Sequence, residues 1–167
     1  MRVSIVVLAL VTLQRLGELA VARRNTARLL ARGGVEWNAG QHRFFVALHA
    51  AWLAGLWALA WDRPAKLAWL AVFGLLFVLR VWTLASLGGR WTTRIITLPG
   101  EPLVRRGPYR GIAHPNYLVV AGEIAVLPLM FGLWAYALAF SVLNAVLLSV
   151  RIRAESAALK ASQASAA

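Results

Sequence analysis

The chain of 167 residues contains no cysteine and only six acidic residues. The absence of cysteine excludes disulfides, thiolate metal sites and a cysteine nucleophile. Charged residues of either sign make up only 14% of the sequence, whereas 60% is hydrophobic and the mean hydropathy is +0.67. A soluble domain of this length rarely has such a composition. The sequence therefore predicts an integral membrane protein.

The net charge of +12 is the second unusual feature of the sequence. A basic nucleic-acid-binding domain carries its charge on a polar, soluble surface. Here the basic residues lie in short loops between apolar runs, which is how membrane proteins carry their orientation signals. We therefore expect membrane lipids and no nucleic acid as partners. Nothing in the sequence indicates an oligomeric state.

Five apolar segments are long enough to span a bilayer or nearly so, since a hydrocarbon core of ~30 Å needs about 20 helical residues. They lie at about residues 3–22, 44–61, 67–87, 116–131 and 133–150. Only Gly132 separates the last two, which predicts a tight helical hairpin. The sequence thus predicts one all-α membrane domain over residues 1–167, with about five transmembrane helices. Its small-residue end, 161–167, is predicted to be disordered.

Arginine is concentrated in two of the loops. The loop after the first segment contains Arg23, Arg24, Arg28, Arg32 and Arg43, and the loop before the fourth contains Arg90, Arg94, Arg105, Arg106 and Arg110. The loop between the second and third segments has only Arg63 and Lys66. By the positive-inside rule, both arginine-rich loops and the C-terminus are expected to face the cytoplasm.

Side chains that could support chemistry are concentrated between the third and fourth segments. They include Tyr109, His114, Asn116 and Tyr117. Pro115 stands where the fourth helix is predicted to begin, a position at which proline is favoured. The unpaired backbone N–H groups of such a helix start suit a carboxylate. A polar cluster at the mouth of a membrane helix suits an enzyme with a lipophilic substrate and a water-soluble cofactor.

The chain resembles the isoprenylcysteine carboxyl methyltransferase family in stretches that follow one another in a specific order. These are Arg106-Gly107-Pro108-Tyr109-Arg110, His114-Pro115-Asn116-Tyr117, a helical hairpin, and Arg151-Ile152-Arg153-Ala154-Glu155. Two positions differ from the usual family pattern, which has arginine at Ala113 and a second glutamate at Ser156. Residues 14–19 and 23–25 resemble a bacterial branch associated with type III polyketide synthases, whose members are thought to O-methylate alkylpyrone-type lipids.

The resemblance implies S-adenosylmethionine as cofactor, bound by the part of the chain between residues 105 and 160. The expected cofactor-binding residues are Tyr109, His114, Pro115, Asn116, Tyr117 and Glu155. The tyrosine rings could pack on the adenine or the sulfonium, and Glu155 could accept hydrogen bonds from the ribose diol or the ammonium. Arg151, four residues before Glu155 on the same helical face, could orient it. The expected catalytic residues are His114, Arg151 and Glu123.

Simpler roles compete with these assignments. The tyrosines could be aromatic residues of the membrane interface, and His114 could cap the fourth helix. Arg105 and Arg110 could serve as orientation charges rather than as ligands. His42 and His49 lack a third ligand, so we predict no metal site.

Four charged residues lie within the apolar segments, where charge is costly and usually faces a cavity or another charge. They are Arg15, Glu18, Arg80 and Glu123. Arg15 and Glu18 are three residues apart and can pair on one helix. Glu123 is about 9 Å deeper than Tyr117 on the predicted fourth helix. It is expected to be either the base for a substrate hydroxyl or a structural ion-pair partner of Arg80 or Arg15.

We therefore expect an S-adenosylmethionine-dependent O-methyltransferase that acts on a lipophilic, membrane-dissolved substrate. The resemblance implies a bacterial inner membrane, with the active site facing the cytoplasm. An alkylpyrone-like hydroxyl is the first expectation for the acceptor, and an isoprenylcysteine-like carboxylate is the alternative. A non-enzymatic lipid-binding scaffold is the competing class, and binding of S-adenosylhomocysteine would distinguish the two classes.

Overall fold

The computed structural model describes residues 2–164 and contains five α-helices within that range. They are α1 (Val3–Ala31), α2 (His42–Ala60), α3 (Leu67–Leu87), α4 (Pro115–Met130) and α5 (Trp134–Ala164). Each corresponds to one of the apolar segments in the sequence, which confirms their helical nature and order. All except α4 are long and apolar enough to cross a membrane.

The shortest helix, α4, lies at the centre of the bundle. Its 16 residues span about 24 Å, less than the ~30 Å hydrocarbon core. Side chains on several of its faces are buried, among them Val119, Glu123, Ile124 and Leu127. Because α3 and α5 pack along it, neighbouring helices rather than lipid surround most of α4.

The first helix extends about nine residues beyond the predicted apolar segment and ends in a Schellman motif. Gly33 has a φ of +84°, a left-handed conformation that glycine adopts without steric cost. The Gly33 N–H donates to the Leu30 carbonyl at 3.0 Å, and the Gly34 N–H donates to the Leu29 carbonyl at 2.9 Å. The helix therefore continues through its arginine-rich turns until the glycine pair ends it.

A two-stranded antiparallel ribbon joins the two arginine-rich loops, an element that the sequence analysis did not predict in this all-α membrane fold. Strand β1 (Val35–Trp37) pairs with β2 (Ile95–Thr97), with Glu36 opposite Ile96. The Trp37 indole N–H donates to the Thr97 hydroxyl at 2.8 Å. The ribbon thus holds both loops together at one end of the bundle.

The predicted hairpin between the last two helices is confirmed. The chain turns at Gly132, whose φ is +74°. The Gly132 N–H donates to the Leu129 carbonyl and the Leu133 N–H donates to the Pro128 carbonyl, both at 3.0 Å. These two bonds form a second Schellman motif, which satisfies the carbonyl groups at the end of α4.

The last helix continues well beyond the apolar segment that ends near residue 150. It carries Arg151 and Glu155 out of the bundle and alongside the β2 strand. The prediction of disorder is wrong for residues 161–164, which are helical. Residues 165–167 lie outside the described part of the chain.

Candidate functional site

The start of α4 brings the predicted site residues to the same end of the bundle as the ribbon. His114 occupies the N-cap position, but its side chain makes no capping hydrogen bond. Its ring instead stacks on Tyr117, with 5.4 Å between the ring centroids and an angle of 20° between the planes. Helix capping therefore does not account for this histidine.

Tyr117 connects two side chains of α5. The Arg151 Nε–H donates to the Tyr117 hydroxyl at 2.8 Å, and the hydroxyl donates to Glu155 in turn. The His114 Nδ1 lies 3.8 Å from the other oxygen of Glu155. We expected Arg151 to orient Glu155 directly, but the tyrosine hydroxyl lies between them. The four side chains form one connected polar group, hereafter the α4–α5 cluster.

Tyr109 faces the α4–α5 cluster from the preceding turn, Gly107–Arg110. Burial raises the pKa of its hydroxyl, and the charge of Glu155 raises that pKa further. The hydroxyl therefore stays protonated at physiological pH and can act as a hydrogen-bond donor. The Tyr109 ring offers an aromatic surface next to this hydroxyl.

A cavity of about 490 Å³ opens between the ribbon, the 98–105 segment and the α4–α5 cluster. Its volume lies within the range of ~300–1,000 Å³ that is usual for ligand sites. Arginines are prominent in its lining, and two glutamates balance them in part: Arg90, Arg94, Arg105, Arg110 and Arg151 with Glu101 and Glu155. This first cavity can accept a ligand that carries both an anionic and a cationic group.

A second cavity of about 290 Å³ lies deeper, between α1, α2 and α3. The α2 side of this cavity is mainly apolar, with Phe45, Val46 and Leu53. It reaches the first cavity at one place, because four residues line both: Trp91, Thr92, Asn116 and Arg151. The two cavities therefore meet at the level where α4 begins.

The four charged residues within the helices form one buried network at the side of the second cavity. Glu18 accepts two hydrogen bonds from Arg80, at 2.8 and 2.7 Å, and one from Arg15 at 3.0 Å. Glu123, which is fully buried, accepts one from Arg15 at 2.7 Å. Arg80 lies 3.4 Å from the same Glu123 oxygen. Two guanidinium groups and two carboxylates thus compensate one another.

This arrangement supports the structural alternative for Glu123. The Glu123 side chain lies in the network and lines neither cavity. Arg80 also donates to the Asn116 side-chain oxygen at 3.4 Å, which connects the network to the start of α4. The buried network thus contacts Asn116, which lies at the junction of the cavities.

Most of the other site residues proposed from the sequence line the first cavity: Tyr109, His114, Asn116, Tyr117, Arg151 and Glu155. Pro115 begins α4 as expected, yet it is buried and lines neither cavity. Its position indicates a role in starting the helix rather than in contacting a ligand. Arg105 and Arg110, which we treated as orientation charges, do line this cavity.

Sequence reasoning missed Trp91 and Thr92, which lie at the junction. It also missed the strand β2, whose residues line the first cavity. The β-branched run Ile95-Ile96-Thr97 was a signal for a strand. Nothing local in the sequence marks Trp91, because its position follows from the ribbon that folds the loop back over α5.

Comparison with known proteins identifies the family of the chain. The sequence model of the isoprenylcysteine carboxyl methyltransferase (ICMT) family matches residues 68–161, from α3 to near the end of α5. The chain is also 37% identical over 158 residues to the "Uncharacterized protein YpbQ" of Bacillus subtilis (strain 168), which covers 92% of this chain and 94% of that protein. No solved structure matches the chain. The chain therefore belongs to the isoprenylcysteine carboxyl methyltransferase family.

Proposed function

We propose that the protein transfers a methyl group from S-adenosylmethionine to an oxygen atom of a lipophilic acceptor dissolved in the membrane. The observation that carries this proposal is the pair of cavities. A polar cavity among the loops meets a largely apolar cavity among the helices at Trp91, Thr92, Asn116 and Arg151. A water-soluble methyl donor and a lipid acceptor need such a meeting point.

The residues of the first cavity fit the groups of S-adenosylmethionine. Its arginines and the N-terminal end of α4 suit the carboxylate. Glu155 is an acceptor-only side chain that suits the ammonium or the ribose diol. The rings of Tyr109 and Tyr117 offer surfaces for the adenine or the sulfonium. When bound, S-adenosylmethionine supplies an electrophilic methyl group.

The protein's contribution to methyl transfer is expected to be mainly positioning. Tyr117 holds Glu155 and Arg151 in a fixed relation, and Arg151 reaches the junction of the cavities. Trp91 is buried at this junction, where its indole would limit the access of water to the reacting atoms. His114 supports the Tyr117 ring by stacking on it.

The acceptor is proposed to be a hydroxyl on an alkylated ring, such as that of an alkylpyrone. The apolar second cavity suits an alkyl chain, and its polar end at Asn116 and Arg151 suits an oxygen-bearing ring. Carboxyl methylation of an isoprenylcysteine-like lipid is the second candidate, which family membership favours. By the positive-inside rule, the ribbon end of the bundle is proposed to face the cytoplasm of a bacterial cell, at its inner membrane.

The purified protein in lipid nanodiscs tests this proposal. Calorimetry should detect binding of S-adenosylhomocysteine, and a labelled methyl donor should label an added lipid acceptor. The acceptor panel should contain a long-chain alkylpyrone, a long-chain alkylresorcinol and farnesylated N-acetylcysteine. Absence of S-adenosylhomocysteine binding would contradict the proposal and favour a lipid-binding scaffold.

A further inference from the structure

His49 lies on the face of α2 that forms one wall of the second cavity. Most of the other α2 residues that line this cavity are apolar, namely Phe45, Val46, Ala50, Trp52 and Leu53, and His42 lines it at the start of the helix. His49 therefore places an imidazole in a wall that is mainly suited to an alkyl chain.

A hydrogen bond fixes the tautomer of the neutral His49 ring. Its Nδ1 lies 2.8 Å from the Phe45 carbonyl oxygen. A carbonyl can only accept, so Nδ1 carries the hydrogen and Nε2 carries a lone pair. Within the described residues, Nε2 has no hydrogen-bond partner. The ring thus has an acceptor available to a ligand in the cavity.

The same part of α2 reaches the junction of the two cavities. The guanidinium carbon of Arg151 lies 5.2 Å from the centroid of the Phe45 ring. His49 is four residues further along the helix, about 6 Å deeper along its axis. A ring-bearing acceptor that extends from the junction into the second cavity therefore passes alongside His49.

The other charged or titratable side chains around this cavity are less suited to take a proton. They are Arg15 and Glu18 from α1, His42 from α2, Arg80 from α3 and Arg151 from α5. The arginines are already cationic. The Glu18 carboxylate is occupied by hydrogen bonds from Arg80, Arg15 and Gln14. His42 lies at the first turn of α2, seven residues from His49, and its Nδ1 is buried.

We propose that His49 is the base that removes the proton from a weakly acidic hydroxyl of the acceptor, an inference that rests on the proposed methyl transfer. The O–H bond breaks and its proton passes to Nε2 of His49. An electron pair of the oxygen forms the bond to the methyl carbon, while the bond between that carbon and the sulfonium sulfur breaks. The sulfur keeps that bonding pair and becomes a neutral thioether, and the imidazolium then releases its proton to water.

This role distinguishes between acceptor classes. A carboxylic acid ionises near pH 4 and needs no base at neutral pH, whereas a phenol ionises near pH 10 and does. A base in the cavity therefore points to an acceptor as weakly acidic as a phenol rather than a carboxylate.

The first test measures turnover of wild type, His49→Asn and His49→Gln with an alkylresorcinol and with farnesylated N-acetylcysteine. Asparagine can keep the hydrogen bond to the Phe45 carbonyl but lacks a basic nitrogen, and glutamine serves if the asparagine variant does not fold. We expect kcat with the phenol to fall about a hundredfold or more. The variant's rate should then rise with pH as the phenolate forms in solution. Affinity for S-adenosylhomocysteine should not change, and any activity on the carboxylate should fall far less than activity on the phenol.

The second test needs no turnover. A long-chain nitrophenol changes its absorbance on ionisation, so its titration can be followed while it is bound to the cofactor-free protein. The bound phenol should ionise at a lower pH with wild type than with His49→Asn, because a protonated His49 stabilises the phenolate.

The assignment would be overturned by full activity of the His49 variants on the phenol or by an unchanged titration of the bound nitrophenol. A loss that appears in His42→Gln instead would also overturn it. Transfer by the wild type to the carboxylate but not to the phenol would also overturn it, while methyl transfer as such would stand. If the wild type binds no S-adenosylhomocysteine and methylates neither acceptor, the proposed function itself fails.

Discussion

The hydroxyl of Tyr117 joins two side chains of α5, because Arg151 donates to it and it donates to Glu155. Removing this one oxygen leaves the helix and the ring in place. Glu155 then keeps only a distant histidine partner, at 3.8 Å, among the described residues. Tyr117 therefore determines the position of both α5 side chains relative to the first cavity.

Tyr117→Phe is accordingly expected to lower turnover while the protein still inserts and purifies normally. His114→Ala, which removes the stacked ring, should have the same direction of effect. Tyr136→Phe is the matched control, since Tyr136 lines neither cavity and its hydroxyl donates to the Trp52 carbonyl at 2.9 Å. If both site variants are fully active at saturating cofactor, these rings would instead serve as residues of the membrane interface.

Glu155→Gln should weaken the binding of S-adenosylhomocysteine by about tenfold to a hundredfold, because a hydrogen bond to a charged group contributes about 1.5–3 kcal/mol. Calorimetry measures the affinity directly. Asp62→Asn makes the corresponding chemical change in the turn between α2 and α3, where Asp62 lines neither cavity. Equal affinities of the two variants would remove Glu155 from the cofactor site.

At the scale of the helices, the buried network joins α1, α3 and α4. Glu123→Gln removes one carboxylate and leaves Arg15 without its closest partner on α4. We expect a loss of about 3–5 kcal/mol in the free energy of unfolding, since an uncompensated buried charge is costly. Thermal unfolding in detergent would measure it.

The double variant Arg15→Gln with Glu123→Gln is the control for this prediction. It removes one charge of each sign, so it should recover part of the stability that the single variant loses. Cofactor affinity should be kept, because Glu123 lines neither cavity. If Glu123→Gln alone has normal stability but no turnover, the result would instead support Glu123 as the base.

The helix end formed by Gly132 provides an independent test of the fold, with Gly17 inside α1 as the control. Gly132→Ala places a Cβ at a φ of +74° and should destabilise the α4–α5 hairpin, by more than about 1 kcal/mol. Gly17→Ala lies within α1, where a Cβ meets nothing within 4 Å, and should stabilise by about 0.5–1 kcal/mol. Melting shifts of the same sign would contradict the assigned backbone conformations.

The helices could be predicted because each is marked by an apolar run, and the hairpin because Gly132 stands between two such runs. The ribbon escaped prediction because a strand of three residues carries too short a pattern. The sequence could not show which arginine pairs with Glu123. The apolar residues of α1 do not mark one strong face, so they do not predict which side of α1 is turned toward α4. The second cavity could not be predicted, since it depends on how α1 and α2 diverge.

For the whole molecule, the ribbon places both arginine-rich loops at one end. We expect this end to face the cytoplasm. The chain contains no cysteine, so single cysteines can report its orientation. Asp62→Cys, in the turn between α2 and α3, should react with a membrane-impermeant maleimide on intact spheroplasts. Arg28→Cys should react only after permeabilisation, and the opposite pattern would place the site on the outer side.

The network of charges also bears on how the chain enters the bilayer during synthesis. Arg15 and Glu18 arrive together on α1 and form their own pair at 3.0 Å. Arg80 and Glu123 arrive later, on separate helices, and an unpaired charge near a helix centre costs about 2.5–3.5 kcal/mol to insert. Glu18 is already present when α3 emerges and can receive Arg80. Loss of α1 would therefore impair membrane integration of the following helices before it could affect catalysis.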